Sequence, residues 1–431
     1  MKKYSYNHIN EELFHLRLTN GLNVYLLPKN DYSKTYVTFT TKFGSINLEV
    51  KDTKGNITAL PSGIAHFLEH KLFERNGEDI SRYFAENGAS VNAFTQNSKT
   101  TYLFSATSNI YQNLDLLMDL VQKPQFSTKG IDKEKGIIAQ EIKMYDDDPT
   151  TVSYMGILNN LFPSHPIKND ILGTIDTINT IDKEILEIAH NAYYSPSNMV
   201  LFLAGNFNLD KVVTHLTKNQ LDYKYSAKYF PVVEETPEIM SDIIQERTIE
   251  LDIVVPSFLM GIKELPKNIN KDNLIKKELT FSILMDMFIG RSTKNFQSLI
   301  TKGLINDTFG IDITFEDTYG FFLIGSETKV PEKLEKVLFN MFKNMRQHTF
   351  EEEKFNRSKK QIIGGFIHAL NSLEFIANQF TKYYYFNQSL FDVLDILESI
   401  TIKDVMNEIE FFENEDLYST FLINPNRKEK N

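Results

Sequence analysis

One pentapeptide restricts the fold of this chain more than any other segment; it reads His66-Phe67-Leu68-Glu69-His70. On a helix, positions i, i+3 and i+4 share one face, so the two imidazoles and the carboxylate would point into the same small volume. Imidazole is a natural zinc ligand, and a neighbouring carboxylate can hold and deprotonate a metal-bound water. The pentapeptide therefore predicts a helix over residues 62–75 with a catalytic metal centre. The alternative is a helix whose histidines are only satisfied core groups.

Two glutamates further along the chain offer the remaining ligand. Glu134 and Glu141 are two helical turns apart in a helix predicted over residues 131–146, so both lie on one face. One carboxylate can bind the metal while the other braces a ligand by a hydrogen bond. Alone, such a pair is more often a solvated helix face, but the upstream pentapeptide favours a role at the metal. A structural site would need a fourth protein ligand, and the chain has no cysteine to supply it.

The composition is that of a globular protein with more than one domain. The chain has 431 residues, of which 42% are hydrophobic and 24% are charged, and this length exceeds one ordinary core. A formal net charge of −11 argues against nucleic acid as the main partner. The first residues lack the apolar stretch of a secretory signal, and no apolar run is long enough to span a membrane. We therefore expect a soluble, cytoplasmic protein.

Hydrophobic periodicity gives strands and helices in a similar order in both halves of the chain. Residues 219–245 lose this periodicity and contain prolines and a run of acids, which is typical of a linker. We predict an α+β fold with two similar domains, 1–218 and 246–431, each a mostly antiparallel sheet packed with helices. Only the first domain carries the metal motif. A helical pattern covers 350–386, and Gly364-Gly365 is predicted to interrupt it.

The pentapeptide, followed by Glu134 and Glu141, resembles the M16 (pitrilysin or insulinase type) zinc peptidases, whose metal motif has the inverted order H-x-x-E-H. The resemblance implies that Zn²⁺ is held by His66, His70 and Glu141. It also implies that Glu69 is the general base of peptide hydrolysis and that Glu134 is the supporting acid. An active member would cleave peptides or unfolded segments.

A second resemblance lies in the stretch Gly88-Ala89-Ser90-Val91-Asn92-Ala93-Phe94-Thr95, which is similar to the edge-strand motif of the same family. It implies that a peptide substrate pairs with this strand through its backbone. The substrate-binding residues would be Asn92, Ala93, Phe94 and Thr95. Because proline removes a backbone donor, we expect a proline at Phe94 to impair peptide binding.

The chain length is similar to that of half-size members of the family, whose two domains form half of a clam-shell chamber. The segments around the metal residues look most like the zinc-bearing subunit of two-protein systems in Gram-positive bacteria. The second half departs from active members, since Lys294 stands where arginine is expected and Asn306 or Asp307 where tyrosine is expected. Lysine cannot make the bidentate contacts of a guanidinium. This departure implies a heterodimer with a related subunit that supplies the missing pair. A homodimer and a catalytically silent, peptide-binding subunit are the alternatives.

Overall fold

The computed structural model describes residues 1–232, 242–265 and 268–426. Packing divides the described chain into two compact units, each assembled from separate segments. The first unit contains residues 1–143, 169–232 and 370–385, and the second contains the rest of the described chain. The contiguous boundaries 1–218 and 246–431 stay a prediction about domains. Residues 233–241 of the predicted linker lie outside the described residues.

Runs of strands and runs of helices follow one another along the described chain. The strands are β1 (Lys2–Tyr6), β2 (Glu11–Arg17), β3 (Asn23–Pro28), β4 (Thr35–Thr41), β5 (Glu49–Asp52), β6 (Ile57–Ala59), β7 (Glu74–Arg75), β8 (Glu78–Asp79), β9 (Ala89–Thr95), β10 (Thr100–Ala106), β11 (Met199–Gly205), β12 (Tyr229–Pro231), β13 (Glu246–Leu251), β14 (Ser257–Glu264), β15 (Gly310–Phe315), β16 (Gly320–Glu327) and β17 (Tyr418–Pro425). The α-helices are α1 (Ile64–Leu72), α2 (Ser81–Glu86), α3 (Ile110–Gln122), α4 (Thr128–Asp146), α5 (Pro149–Leu161), α6 (Ile175–Asn179), α7 (Lys183–Tyr193), α8 (Leu209–Asp222), α9 (Leu274–Ile289), α10 (Lys294–Thr301), α11 (Pro331–Lys343), α12 (Glu352–Ala369), α13 (Leu373–Tyr384), α14 (Val393–Ser399) and α15 (Ile402–Asn407).

The first unit is built on a seven-stranded sheet with the order β1-β2-β3-β11-β4-β10-β9. Only β3 and β11 run parallel, and every other neighbouring pair is antiparallel. All residues of the central strands β4 and β11 are buried. Helix α13 packs on both of these strands, with Phe380 stacked on Phe202 at 4.4 Å between ring centroids. Strand β9 is left at the edge of the sheet, as predicted.

The second unit repeats this arrangement in a five-stranded sheet, β13-β17-β14-β16-β15. The β13–β17 pair is parallel and the other pairs are antiparallel, which matches β3-β11-β4-β10-β9 in chain order and direction. Helix α5 packs on β14 and β17. A Cβ added at Gly156 would lie 2.3 Å from the Phe421 ring, so α5 approaches the sheet closely. The predicted fold class, with two similar domains of mostly antiparallel sheet and helices, is confirmed.

Two local predictions differ from the structure. Helix α12 continues through Gly364 and Gly365, and the helical pattern breaks after Ala369 instead. The break has a physical cause, because the side chain of Ser372 accepts a hydrogen bond from the Phe375 amide and caps the start of α13. The predicted linker begins inside α8 and includes β12, which pairs with β5. A three-residue strand is too short to give a periodic pattern. Among the described residues, none of the helices is long and apolar enough to cross a membrane.

Alanine substitution at Gly63 tests the contact that positions α1. Gly63 and Gly55 both have left-handed backbones, with φ of 89° and 88°. A Cβ at Gly63 would lie 2.3 Å from the Leu172 carbonyl oxygen, whereas a Cβ at Gly55 would meet nothing within 4 Å. Gly55→Ala should therefore destabilise by about 1–2 kcal/mol through backbone strain alone. Gly63→Ala should cost about 2–5 kcal/mol because the steric overlap adds to this strain.

Urea unfolding of both variants, followed by circular dichroism, measures the difference. Equal midpoints for Gly63→Ala and Gly55→Ala would show that the contact with Leu172 does not constrain α1.

Candidate metal centre

Helix α1 presents the pentapeptide side chains from a helix that is anchored in the core. Phe67 and Leu68 are fully buried, and together they hold two adjacent positions of the helix against the first unit. This leaves His66, Glu69 and His70 on one face, as the i, i+3, i+4 spacing requires. The imidazole rings of His66 and His70 lie 4.5 Å apart between centroids. The predicted helix is therefore present and brings its polar side chains together.

Helix α4 supplies the third donor. One ligand atom from each of His66, His70 and Glu141 can be chosen so that all three lie within 4.8 Å of one another. The Oε2 atom of Glu141 lies 3.8 Å from Nε2 of His66 and 3.8 Å from Nε2 of His70. Two ligands bound tetrahedrally to one zinc ion are separated by about 3.3 Å. The three atoms are thus close to the spacing that a shared ion requires.

Glu134 contacts Nδ1 of His70, whereas Glu141 lies near the other ring nitrogen, Nε2. Its Oε1 lies 3.0 Å from Nδ1 of His70. With the proton on Nδ1 donated to this carboxylate, Nε2 keeps a lone pair directed toward Glu141. Burial opposes a charged His70, but the hydrogen bond and the negative charges of Glu134, Glu69 and Glu141 outweigh it and raise its pKa. The structure therefore gives the two glutamates different positions, which the spacing alone leaves open.

His66 has the character of a neutral ligand. Its side chain is buried, and burial followed by the charge of His70 lowers its pKa to about 3. Its Nδ1 atom is buried without a hydrogen-bond partner among the described residues. Metal binding requires unprotonated imidazole nitrogens. Two imidazoles and one carboxylate, with no fourth protein donor in the group, fit a zinc ion that keeps an open coordination position.

Glu69 stands beside this group without belonging to it. The hydroxyl of Thr95, at the end of β9, donates a hydrogen bond of 2.6 Å to Oε2 of Glu69. Burial raises the pKa of Glu69, while the hydrogen bond from Thr95 and the charge of His70 act in the opposite direction. Glu69 is thus a partly buried carboxyl next to the donor group, and a carboxyl in such a position can act as a general base. The resemblance did not predict the contact with Thr95, because it assigned Thr95 to substrate binding.

The predicted substrate strand β9 lies at the edge of its sheet, and its outward-pointing backbone amides can be identified. The Ala93 amide donates to the side-chain oxygen of its own neighbour, Asn92, at 2.9 Å. The Gln96 amide, three residues on, donates to the Lys99 carbonyl at the β10 side. Amides alternate in direction along a strand. The amides of Ala93 and Thr95 therefore point away from β10, whereas that of Phe94 points toward it.

The second unit has neither an arginine nor a tyrosine at the three positions noted from the sequence. Lys294 is the exposed first residue of α10. The side chain of Asn306 accepts hydrogen bonds from the amide and hydroxyl of Thr308, at 2.8 and 2.6 Å, and so stabilises a local turn. Asp307 is exposed. The three positions therefore offer neither the guanidinium nor the phenol that the family resemblance implies for active members.

Comparison with known proteins identifies the same family in both halves of the chain. The protein-family model described as Insulinase (Peptidase family M16) matches residues 53–175. The protein-family model described as Peptidase M16 inactive domain matches residues 180–362. The uncharacterized zinc protease YmfH of Bacillus subtilis (strain 168) is 41% identical over 412 residues, which cover 95% of this chain and 96% of that protein. The β subunit of the mitochondrial-processing peptidase of Caenorhabditis elegans is 32% identical over 193 residues, 42% of each chain.

Solved structures agree with these matches. An M16-like peptidase from Alicyclobacillus acidocaldarius has a TM-score of 0.90 and 31% identity, and the match covers 96% of this chain and 98% of that chain. The periplasmic protease PqqL of Escherichia coli has a TM-score of 0.74 at 17% identity, covering 96% of this chain and 47% of that chain. At this identity the second likeness shows the fold alone. The family resemblance noted from the sequence is confirmed.

Metal analysis of purified protein tests the donor group. The wild-type chain should bind about one zinc per protomer, and the double variant His66→Ala/His70→Ala should bind none, because two of three donors are lost. Glu134→Leu should weaken affinity about 10- to 100-fold, since it removes only the group that orients His70. Glu69→Gln is the matched control and should keep the metal. Equilibrium dialysis with elemental analysis gives these values, and full zinc in the double variant would disprove the assignment.

Proposed function

We propose that this chain, which belongs to the M16 family of peptidases, is a zinc-dependent endopeptidase that cleaves peptides or unfolded segments. The observation that carries the proposal is the grouping of His66, His70 and Glu141 with an adjacent, non-ligating Glu69. Three donors with an open position are typical of catalytic zinc, whereas structural sites use four. The naming of relatives as zinc proteases supports the same metal.

The chemistry follows from the positions of the side chains. Zinc, when bound, would supply a water of lowered pKa and polarise the peptide carbonyl. Glu69 would accept a proton from the attacking water and pass it to the leaving amine, so that one water is consumed for each peptide bond. Glu134 would act through His70 by holding its Nδ1 proton.

Substrate capture would use the outer edge of β9. A peptide that adds as a further strand would pair with the outward backbone groups of Ala93 and Thr95. Asn92 Oδ1 already occupies the Ala93 amide in the free chain, so the peptide carbonyl would replace it. Backbone pairing gives affinity with few demands on sequence. This is consistent with peptides or unfolded segments as the substrate class.

We further propose that a related subunit completes a clam-shell chamber with this chain. Lys294, Asn306 and Asp307 provide neither the guanidinium nor the phenol expected of active members, and transition-state stabilisation needs groups beyond the metal. A heterodimer in which the partner supplies that pair would complete the site, and a homodimer would not. The same departure favours the second candidate, a catalytically silent peptide-binding subunit. A cytoplasmic location stays a prediction.

Proline substitutions in β9 test strand addition. Ala93→Pro removes an outward amide and should raise KM about 5-fold or more, because one backbone hydrogen bond to the substrate is lost and the ring hinders pairing. Phe94→Pro removes an inward amide and should instead disrupt the β9–β10 pairing and lower stability. The expectation that Phe94→Pro impairs peptide binding stays a prediction, and the outward direction of the Ala93 amide makes Ala93→Pro the more direct test. Peptide binding by folded, zinc-loaded Ala93→Pro at wild-type affinity would place the substrate elsewhere.

Activity assays separate the two candidate functions. The chain alone should show little cleavage of a quenched fluorescent peptide library, and addition of the copurified partner should raise kcat/KM by orders of magnitude. Glu69→Gln in the same complex should keep zinc and peptide binding but lose at least about 100-fold in kcat, because the general base is removed. A complex that binds peptides and is equally inactive with the wild-type chain and with the Glu69→Gln variant would favour the silent subunit. Full activity from the purified single chain would exclude the need for a partner.

A further inference from the structure

We propose that Thr95 is a positioning residue whose hydroxyl holds the Glu69 carboxylate in the orientation needed for proton transfer. The inference rests on the proposed role of Glu69 as the general base. It changes the role expected of Thr95, since the hydroxyl would act on the enzyme's own carboxylate while the backbone of the same residue remains open to the substrate.

The contact itself is short and specific. Thr95 Oγ1 lies 2.6 Å from Glu69 Oε2, at the short end for a hydroxyl bonded to a carboxylate. Among the described residues, Oε1 of Glu69 has no hydrogen-bond partner. The two carboxylate oxygens are therefore inequivalent. Oε2 is fixed to β9, and Oε1 is left to accept a proton.

The positions of the Thr95 and Thr100 hydroxyl protons show which group donates in the hydrogen bond between Thr95 and Glu69. Thr100, opposite Thr95 on β10, has its Oγ1 2.8 Å from the Phe43 carbonyl and 3.4 Å from Thr95 Oγ1. A carbonyl can only accept, so the single proton of Thr100 is committed to Phe43. The carboxylate of Glu69 is closer to Thr95 Oγ1 than the Thr100 hydroxyl is, and it is the stronger acceptor because it is charged. Thr95 therefore donates to Glu69.

The support beneath Thr95 is rigid. The segment after β4 is bonded to the β9–β10 turn through the Ser45 amide and the Gln96 carbonyl at 3.1 Å, and through the Ile46 amide and the Asn97 carbonyl at 3.0 Å. A Cβ added at Gly44 would lie 2.3 Å from both of these carbonyl oxygens. Two backbones in such close approach restrict movement of the turn. The hydroxyl of Thr95 is thus held on a fixed support, as a positioning group requires.

The orientation of the Glu69 carboxylate matters for the proposed hydrolysis step. In the proposed step, an O–H bond of water breaks, its proton passes to Oε1 of Glu69, and the water oxygen bonds to the peptide carbon. The proton then passes to the amine nitrogen as the C–N bond breaks. A glutamate side chain has three rotatable bonds, and a displacement of about 1 Å at a reacting group can cost 100-fold in rate. Fixing Oε2 restricts the rotation that would carry Oε1 away from the water.

Thr95→Val tests the proposal with nearly the same side-chain shape and without the hydroxyl. In the active complex, kcat should fall about 10- to 100-fold, while KM stays within about 2-fold and zinc content is unchanged. Thr95→Ser restores the hydroxyl and should recover most of kcat. Thr101→Val is the matched control, because it removes a buried hydroxyl bonded to Thr40 at 3.0 Å in the adjacent strand and leaves Glu69 untouched.

The outcomes separate this proposal from the proposed function. Wild-type cleavage that depends on zinc, together with an unchanged kcat in Thr95→Val, would overturn the positioning role and leave the peptidase intact. A rise in KM alone would make Thr95 a substrate contact. Equal losses in Thr95→Val and Thr101→Val would mean that the effect is structural.

A second measurement does not depend on activity. Crystal structures of zinc-loaded wild type, Thr95→Val and Thr95→Ser should show the Glu69 carboxylate rotated or disordered only in the valine variant. An unmoved carboxylate in Thr95→Val would overturn the proposal even if no cleavage by the wild type were ever found.

Discussion

The arrangement of α1 against α4 is the constraint on which the metal centre depends. Two of the donors come from α1 and the third comes from α4, so the group exists only while the two helices keep their relative position. The hydrogen bond from His70 to Glu134 links the helices at the site itself. The fully buried Lys71 is bonded to Glu74 at 2.6 Å, and a Cβ added at Gly130 of α4 would meet both side chains, so α4 passes close to this pair.

The repeated topology shows that the fold alone does not make the site. Five strands recur in the second unit with the same order and directions, and α9 follows β14 as α1 follows β4 and its short hairpin strands. Yet α9 reads Leu-Ile-Lys-Lys-Glu-Leu-Thr-Phe-Ser-Ile-Leu-Met-Asp-Met-Phe-Ile and contains no histidine. Most of its residues are buried and apolar. The same backbone framework therefore serves as a metal-binding scaffold in one unit and as a packed core in the other.

Features that depend on neighbouring residues could be predicted from the sequence, whereas contacts between residues far apart in the chain could not. The helix around His66 and the shared face of Glu134 and Glu141 are local properties of helical spacing, and both are present in the structure. The edge position of β9 came from the family resemblance. The contact between Thr95 and Glu69 could not be predicted, because it depends on where a strand end lies relative to a helix far away in sequence. The break before α13 was misplaced for a similar reason. Both glycines of α12 have open space around them, so nothing in the fold requires a kink there, while Ser372 offers a cap.

An exposed sheet edge normally invites unwanted pairing, and β9 limits this in a way that suits its proposed use. Its outward Ala93 amide is satisfied by the side chain of Asn92, a flexible acceptor that a peptide carbonyl can replace. The same strand ends in Thr95, whose hydroxyl reaches Glu69. The backbone groups offered to a substrate and the side chain bonded to the proposed base therefore belong to one short strand. Strand β9 is bonded to β10 along its length, so the strand proposed to receive the peptide also holds the Thr95 hydroxyl against Glu69 of α1.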